Sequence, residues 1–364
     1  MRSPASISKP RLLASILTFS LSAVGLASAA SLLESMDEEV SKLYEGTKDA
    51  IVKVHAHRAP MAGGLPTGPV HRVGTGFFID GQGHLLTAAA VVSEADMCWI
   101  DWHGQKVPAK IVGRDAETKV AVLRIDPSAC VGGGQEIPYL GQGNPSELRV
   151  GSMVVAIGFP YNLPSSPTVG FVSGFDIQCG TYTFITSHIR AGLRLSPGQG
   201  GGPLLNTRGK VVGLVVASHL DNQCYALPIN AAMKVADDIL AQGEPQHGWV
   251  GLSVGEREAN PPDGNSRQWQ VYVQQVYSNT PAAQAGFQDG DILMRICTNE
   301  IRRSADVLNT IFYYRCGESA HFMVVRDGKP TDVTLVVGKR PTQNTLLARP
   351  TPPGLVITPA AATR

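Results

Sequence analysis

"SPGQGGGPLLN", Ser196 to Asn206, places Gly198, Gln199, Gly200, Gly201, Gly202 and Pro203 in one unbroken stretch and then turns apolar at Leu204 and Leu205. Glycine and proline are the strongest local punctuation in a chain, so this is a turn that delivers directly into a strand. Working outward from it, the downstream runs "KVVGLVVAS" (210–218) and "QCYALP" (223–228) are short, β-branched and bounded by turn residues. The upstream chain from Ala50 has the same texture: "AIVKVHAH", "GTGFFID", "GHLLTAA", "CWIDWHG", "VPAKIVGRD", "VAVLRI", "GSMVVAIG", "TVGFVSGF" and "YTFITSH". A dozen short strands separated by turn signals predict an all-β architecture of one or two barrels.

The texture changes on both sides of this block. Residues 31 to 48 carry Leu32, Leu33, Met36, Val40 and Leu43 on one helical face, with Tyr44 the only aromatic, and predict an amphipathic helix. "INAAMKVADDILAQG" (229–243) has helical spacing and ends on Gly243, and residues 243–247 read as a short linker. Residues 248–340 form a second, smaller α+β unit with a helix expected from Ser304 to Arg315, opened by Ser304 as N-cap. From Pro341 to Arg364 the chain is proline-rich and poor in aromatics, and disorder is expected there.

At the N-terminus, Arg2, Lys9 and Arg11 precede the apolar run Leu12 to Leu26 and the small residues Ala27-Ser28-Ala29. This is the pattern of a secretory signal peptide over residues 1–29, cleaved after Ala29 or Ala30, and it is short of the roughly 20 apolar residues of a spanning helix. The mature chain is therefore expected outside the cytoplasm, without a membrane span. A formal net charge of +1 and the lack of a long basic run argue against nucleic acid as a partner. Six cysteines, Cys98, Cys130, Cys179, Cys224, Cys297 and Cys316, are even in number, but none has a metal-ligand spacing, so no metal or other cofactor is expected. Cys297 and Cys316 share the small second unit and are expected to pair.

Taken together these stretches resemble the HtrA/Deg family of exported serine proteases, a trypsin-like double β-barrel followed by a PDZ domain. "GTGFFIDGQGHLLTAAAVV" (74–92), "GRDAETKVAVLRID" (113–126) and "SPGQGGGPLLNTRGKVVGLVVA" (196–217) resemble the stretches that carry the family's histidine, aspartate and serine. "LRVGSMVVAIGFPYNL" (148–163) and "YALPINAAMKVADDIL" (225–240) match as well, so the likeness covers about residues 31 to 340. The resemblance implies a barrel domain over 49–242 and a PDZ domain over 248–340. It also sets the three triad positions on Ala90, Lys119 and Gly200.

The chemistry of such a site needs a hydroxyl to attack, an imidazole to take its proton and a carboxylate to orient the imidazole. Loss of the nucleophile or base alone costs about 2 × 10⁶ in turnover, roughly 8 to 9 kcal/mol of barrier. Only the backbone N–H groups of Gly198 and Gly200, an oxyanion hole in the resemblance, need no side chain. Nearby hydroxyls (Thr87, Ser196, Ser218) and imidazoles (His84, His188, His219) stand at no motif position and read as ordinary polar residues of strands and loops. Lys119 reads as a solvated lysine whose stem covers apolar neighbours. The glycine run is expected to be more mobile than a serine-bearing loop.

"GWVGLSV" (248–254) resembles the carboxylate-binding loop of a PDZ domain, and "VQQVYSNTPAAQAGFQDGDIL" (273–293) the core that follows. The likeness assigns peptide binding to Val250, Gly251, Leu252, Ser253 and Val254, with the peptide added as a strand beside 252–254 and against the helix that begins at Ser304. The expected protein is an exported, catalytically inactive relative that binds peptides or protein C-termini. Two alternatives stand beside it: a serine endopeptidase with another catalytic constellation, and a non-cutting subunit of a homo- or hetero-oligomer, trimer-like, with an active relative.

Overall fold

The structure, a computed structural model, describes residues 31, 33–58, 70–129, 136–179, 182–219, 223–259 and 268–340. The expected signal peptide, the proline-rich tail and Cys130 lie outside the described residues. Residues 33–47 form helix α1, and a 3-10 turn at Lys48–Ala50 leads into the first barrel. Its strands are β1 (Ile51–Arg58), β2 (Val70–Phe78), β3 (His84–Ala88), β4 (Met97–Trp102), β5 (Gln105–Asp115) and β6 (Val120–Ile125), closed in the order β1-β2-β3-β6-β5-β4. The second barrel is β7 (Met153–Gly158), β8 (Ser166–Cys179), β9 (Tyr182–Gly192), β10 (Pro203–Asn206), β11 (Val211–His219) and β12 (Gln223–Pro228), closed in the order β10-β11-β12-β9-β8-β7.

Strands β3 and β6 are mostly apolar because both of their faces are buried. Leu85, Ala121 and Leu123 fill the first barrel with Val52, Val54, Phe78 and Ile100. Leu86, Val120 and Val122 point the other way, into a seam shared with Val155, Ile157, Leu205 and Leu214 of the second barrel. Full burial of side chains this size stabilises by about 1.5–3 kcal/mol each. Helix α2 (Ile229–Gln242) covers the same seam with Ala231, Ala232, Val235, Ala236 and Ile239, and ends on Gly243 in the left-handed conformation (φ 81°). Helix α1 contributes less than its pattern predicts: Leu43 and Tyr44 pack on the seam, whereas Leu33 and Met36 are exposed.

The C-terminal unit consists of β13 (Gly248–Trp249), β14 (Leu252–Ala259), β15 (Gln268–Val276), helix α3 (Pro281–Gln284), β16 (Ile292–Ile296), β17 (Asn299–Glu300), helix α4 (Ser304–Phe312), β18 (Ser319–Arg326), β19 (Lys329–Val336) and β20 (Gly338–Lys339). Its main sheet runs β14-β15-β16-β18-β19, which leaves β14 at an edge. Helix α4 is shorter than expected, and its N-cap is Arg303. The Asp306 carboxylate accepts from the N–H groups of Arg302 and Arg303, while the Ser304 hydroxyl donates to Glu256 instead of capping the helix. The expected Cys297–Cys316 bond is absent: Cys297 Sγ faces the Tyr314 hydroxyl at 2.9 Å, and Cys316 is a free thiol in an exposed turn. The other described cysteines, Cys98, Cys179 and Cys224, are free as well.

Candidate active site and peptide groove

The glycine turn hangs between the barrels at the start of β10, and packing explains most of its composition. A Cβ on Gly198 (φ 99°) would lie 2.2 Å from the Phe159 carbonyl, and one on Gly201 (φ 85°) 2.3 Å from the Thr75 carbonyl and 2.4 Å from Thr87 Oγ1. Gly202 meets the Ile157 carbonyl in the same way, at 2.5 Å. Gly200 is different, because a Cβ there meets nothing within 4 Å. The turn is also tied down. Thr75 N–H donates to the Gly200 carbonyl (2.9 Å), Thr75 Oγ1 to the Gly198 carbonyl (2.7 Å), and Gly201 N–H to the Val215 carbonyl (2.9 Å), while the Gln199 amide oxygen accepts from Ser196 N–H.

The segments that carry the three positions named from sequence come together at this seam. Ala89 N–H donates to the Lys119 carbonyl at 2.8 Å, which joins the turn after β3 to the residue before β6, and Gly201 abuts Thr87 and Ala88. Ala90 is exposed, and its carbonyl accepts from Arg72. Lys119 has left-handed backbone (φ 63°) and is half-buried, with Nζ 5.7 Å from the centre of the Phe184 ring. It thus lies over an aromatic face while remaining partly exposed. Among the described residues, neither Gly198 N–H nor Gly200 N–H has an acceptor.

The neighbouring polar groups are engaged elsewhere. Thr87 Oγ1 donates to the Thr75 carbonyl, and His84 Nδ1 pairs with Asp80 at the opposite end of β3. His188 is buried, stacked on Phe184 at 3.7 Å, and burial pushes its pKa down to about 4, so the ring is neutral at pH 7. The side chains of Ser218 and His219 lie outside what the structure describes.

The second site is built from backbone. Gly251 has φ 79°, and a Cβ there would fall 2.2 Å from Thr280 Cβ, so only glycine fits. The carbonyls of Val250 and Gly251 accept from Ala282 and Tyr277 N–H, and among the described residues the N–H groups of Val250 and Gly251 have no acceptor. Leu252, Ser253 and Val254 lead along the edge strand β14, and of these only Leu252 lines the cavity of about 340 Å³ whose other side is Val307, Leu308 and Ile311 of α4, while Ser253 and Val254 are buried. Two walls of this cavity have no signal in the sequence: Phe184 and Ile185 of β9, and Arg340.

Polar contacts hold the two units in this arrangement. The Asn309 side chain of α4 accepts from Ser187 N–H (2.6 Å) and donates to Ser187 Oγ (2.9 Å). Arg340 pairs with Glu117 at 2.6 Å, and His247 Nε2 lies 2.8 Å from Asp115. Burial would raise the Asp115 carboxyl, but the bond and charge of His247, with Thr118 and the Glu117 N–H, outweigh it and hold the pKa below the usual carboxylate range. Buried Asp238 accepts from Arg315 (2.7 Å), Lys234 (2.9 Å) and Gln246 N–H (3.2 Å), so the short linker is anchored along its length.

Two family models match the chain: a trypsin-like peptidase domain over residues 74–214 and a PDZ domain over residues 237–337. A probable periplasmic serine endoprotease, DegP-like, of Pseudomonas savastanoi pv. phaseolicola is 33% identical over 277 residues, covering 74% of this chain and 56% of its own length. The corresponding protein of Pseudomonas fluorescens is 30% identical, covering 75% of this chain and 57% of its own. The chain thus spans a little over half the length of these curated relatives. Among solved structures, the HtrA-type protease AlgW with tripeptide superposes with a TM-score of 0.68 at 24% identity, covering 83% of this chain and 97% of that one.

Fold and sites therefore define a trypsin-like peptidase domain followed by a PDZ domain. The chain belongs to the HtrA/Deg family. The location outside the cytoplasm expected from the N-terminus agrees with the periplasmic one that these relatives' names carry, and among the described residues no helix is long and apolar enough to cross a membrane.

Proposed function

We propose that this chain is a catalytically silent HtrA-type protein that captures peptides or protein C-termini in its PDZ groove, as a scaffold, chaperone or regulator of protein quality control. The observation that carries the reading is the composition of the seam: a methyl at Ala90, an ammonium turned over Phe184 at Lys119, and no side chain at Gly200, where the surroundings leave room for one. Amides at Gly198 and Gly200 can still polarise a carbonyl, but without a nucleophile and base the residual acceleration is about 10³–10⁴ over water, negligible for amide bonds. The groove has lost nothing of this kind. A carboxylate needs N–H donors and an apolar wall, which Val250 to Leu252 and α4 supply, and AlgW has been solved with a tripeptide and with a decapeptide.

The relatives' names carry the competing reading, an endopeptidase working through other residues. Casein turnover and fluorophosphonate labelling of the purified protein decide between them. Silence in both assays, alongside binding of peptides selected from a C-terminal library, is the expected result, whereas turnover with labelling of one defined hydroxyl overturns it. A second reading, a non-cutting subunit of a mixed assembly, is favoured by the exposed Leu33 and Met36 on α1, and mass spectrometry of partners co-purified from the native source tests it.

A further inference from the structure

The outer face of the first barrel carries a group of side chains that neither the turn nor the groove uses. His55 of β1 stands in the same cross-strand pair as Trp99 of β4, and His71 of β2 lies diagonally across from it. His55 Nδ1 and His71 Nε2 face one another at 3.0 Å, while the other nitrogen of His55, Nε2, is 2.9 Å from Asp101 Oδ2. Both imidazoles lie nearly parallel to the Trp99 indole, within 2° and 9°, and within 10° of one another. His55 is buried and Asp101 half-exposed, and His71 is open to solvent.

This arrangement has three properties of a metal-binding pair. The Asp101 carboxylate takes the Nε2 proton of His55, which leaves the Nδ1 lone pair directed at His71, and a carboxylate behind a ligating histidine is the usual way of fixing its tautomer. Zinc–imidazole bonds of about 2.0–2.1 Å put two neighbouring ligand nitrogens of a tetrahedral ion roughly 3.3 Å apart, a few tenths of an ångström beyond the separation found. The movement required falls on His71, the exposed ring, while the buried ring stays anchored.

We propose that His55 and His71, backed by Asp101, form a two-histidine site for a borderline divalent ion of the Zn²⁺ class, with water completing the coordination. Imidazole donors suit that class of ion. Among the described residues no three potential ligands converge, so the protein supplies two. On binding, the ion replaces the proton held between the rings: that proton moves to Nδ1 of His71, and both imidazoles remain neutral. Lys106, whose ammonium lies 3.8 Å from the centre of the Trp99 ring, opposes the ion's charge and limits its affinity.

Calorimetric titration of the untagged full chain with Zn²⁺ tests the site. His71→Phe, which keeps a flat ring against Trp99 but removes the donor nitrogen, is expected to weaken binding at least tenfold, and Asp101→Asn by about 10-fold or more. Lys106→Met is expected to tighten binding several-fold, and Cys316→Ser to leave it unchanged. In the unaltered protein the ring resonances of His55 and His71 should shift together as Zn²⁺ is added, a readout that needs no variant to fold. Absence of saturable binding, unchanged affinity in His71→Phe, loss of binding in Cys316→Ser, or His55 and His71 resonances that stay still would each overturn the proposal.

Discussion

The turn at 198–202 and the loop at 250–252 are both backbone cradles in which a left-handed glycine is enforced by its neighbours: Gly201 by Thr75 and Thr87, Gly251 by Thr280. They differ in what must be added to make them work. Hydrolysis draws on three side chains from three separate segments, so on the proposed reading Ala90, Lys119 and Gly200 leave a cradle without its chemistry. Carboxylate capture draws on consecutive amides, which mutation of side chains does not erase. On the proposed reading, the function written in backbone outlasts the one written in side chains.

Restoring the missing groups is the strongest way to break this contrast. The triple variant Ala90→His, Lys119→Asp, Gly200→Ser should raise peptide hydrolysis by several orders of magnitude, toward the about 10⁶ that nucleophile and base supply, whereas Gly200→Ser alone stays at background. Hydrolysis by the single variant would mean that a base is already in reach. A folded triple variant with no activity would mean that the amides of Gly198 and Gly200 are not set for an oxyanion. Next in size is the steric distinction within the turn: Gly201→Ala should cost about 3 kcal/mol or more in urea unfolding, and Gly200→Ala less than about 1 kcal/mol.

His188 sharpens the comparison from the shared wall between the two sites. Its folded pKa of about 4 lies below the ordinary value of 6.5, so the unfolded chain takes up this proton first as pH falls. Stability is then fully present above about pH 6.5 and declines between 6.5 and 4, by about 3 kcal/mol in all. His188→Phe should remove that part of the pH slope, and an unchanged slope would show that the imidazole is not held neutral. A further effect, of at most about 3 kcal/mol, belongs to the groove. Amidating a bound peptide's C-terminus should weaken it by about 1.5–3 kcal/mol, and Leu252→Asp by a similar amount, with the barrel's unfolding unaltered. Equal binding after both changes would make the groove an assembly surface.

Most of the fold was legible because its signals are local. Period-two runs, Gly243 as a helix stop and the glycine-marked turns each declare themselves within a few residues, and the three triad positions sit inside motifs. The features missed all depend on distance in the chain. Phe184 and Ile185 reach a groove whose loop begins more than 60 residues later, Arg340 meets Glu117 across the whole structure, and His55 finds His71 through strand register. The errors have local causes as well. Ser304 resembled an N-cap, but Glu256 on a neighbouring strand claimed its hydroxyl, and Cys297 faced a tyrosine instead of the nearby thiol.

Strands β3 and β6, buried on both faces, bind the fate of one barrel to the other. Peeling the barrels apart would hand Phe77, Leu86, Val120 and Val122 to water together with Val155, Ile157 and Leu214, and would uncover the inner face of α2 in the same movement. Each barrel has an interior of its own, but the seam is the part of the core that neither can keep dry without the other. The two closed sheets are separate in topology but share this seam, so a single calorimetric unfolding transition is expected for both, and two resolved transitions would show that the seam does not couple them.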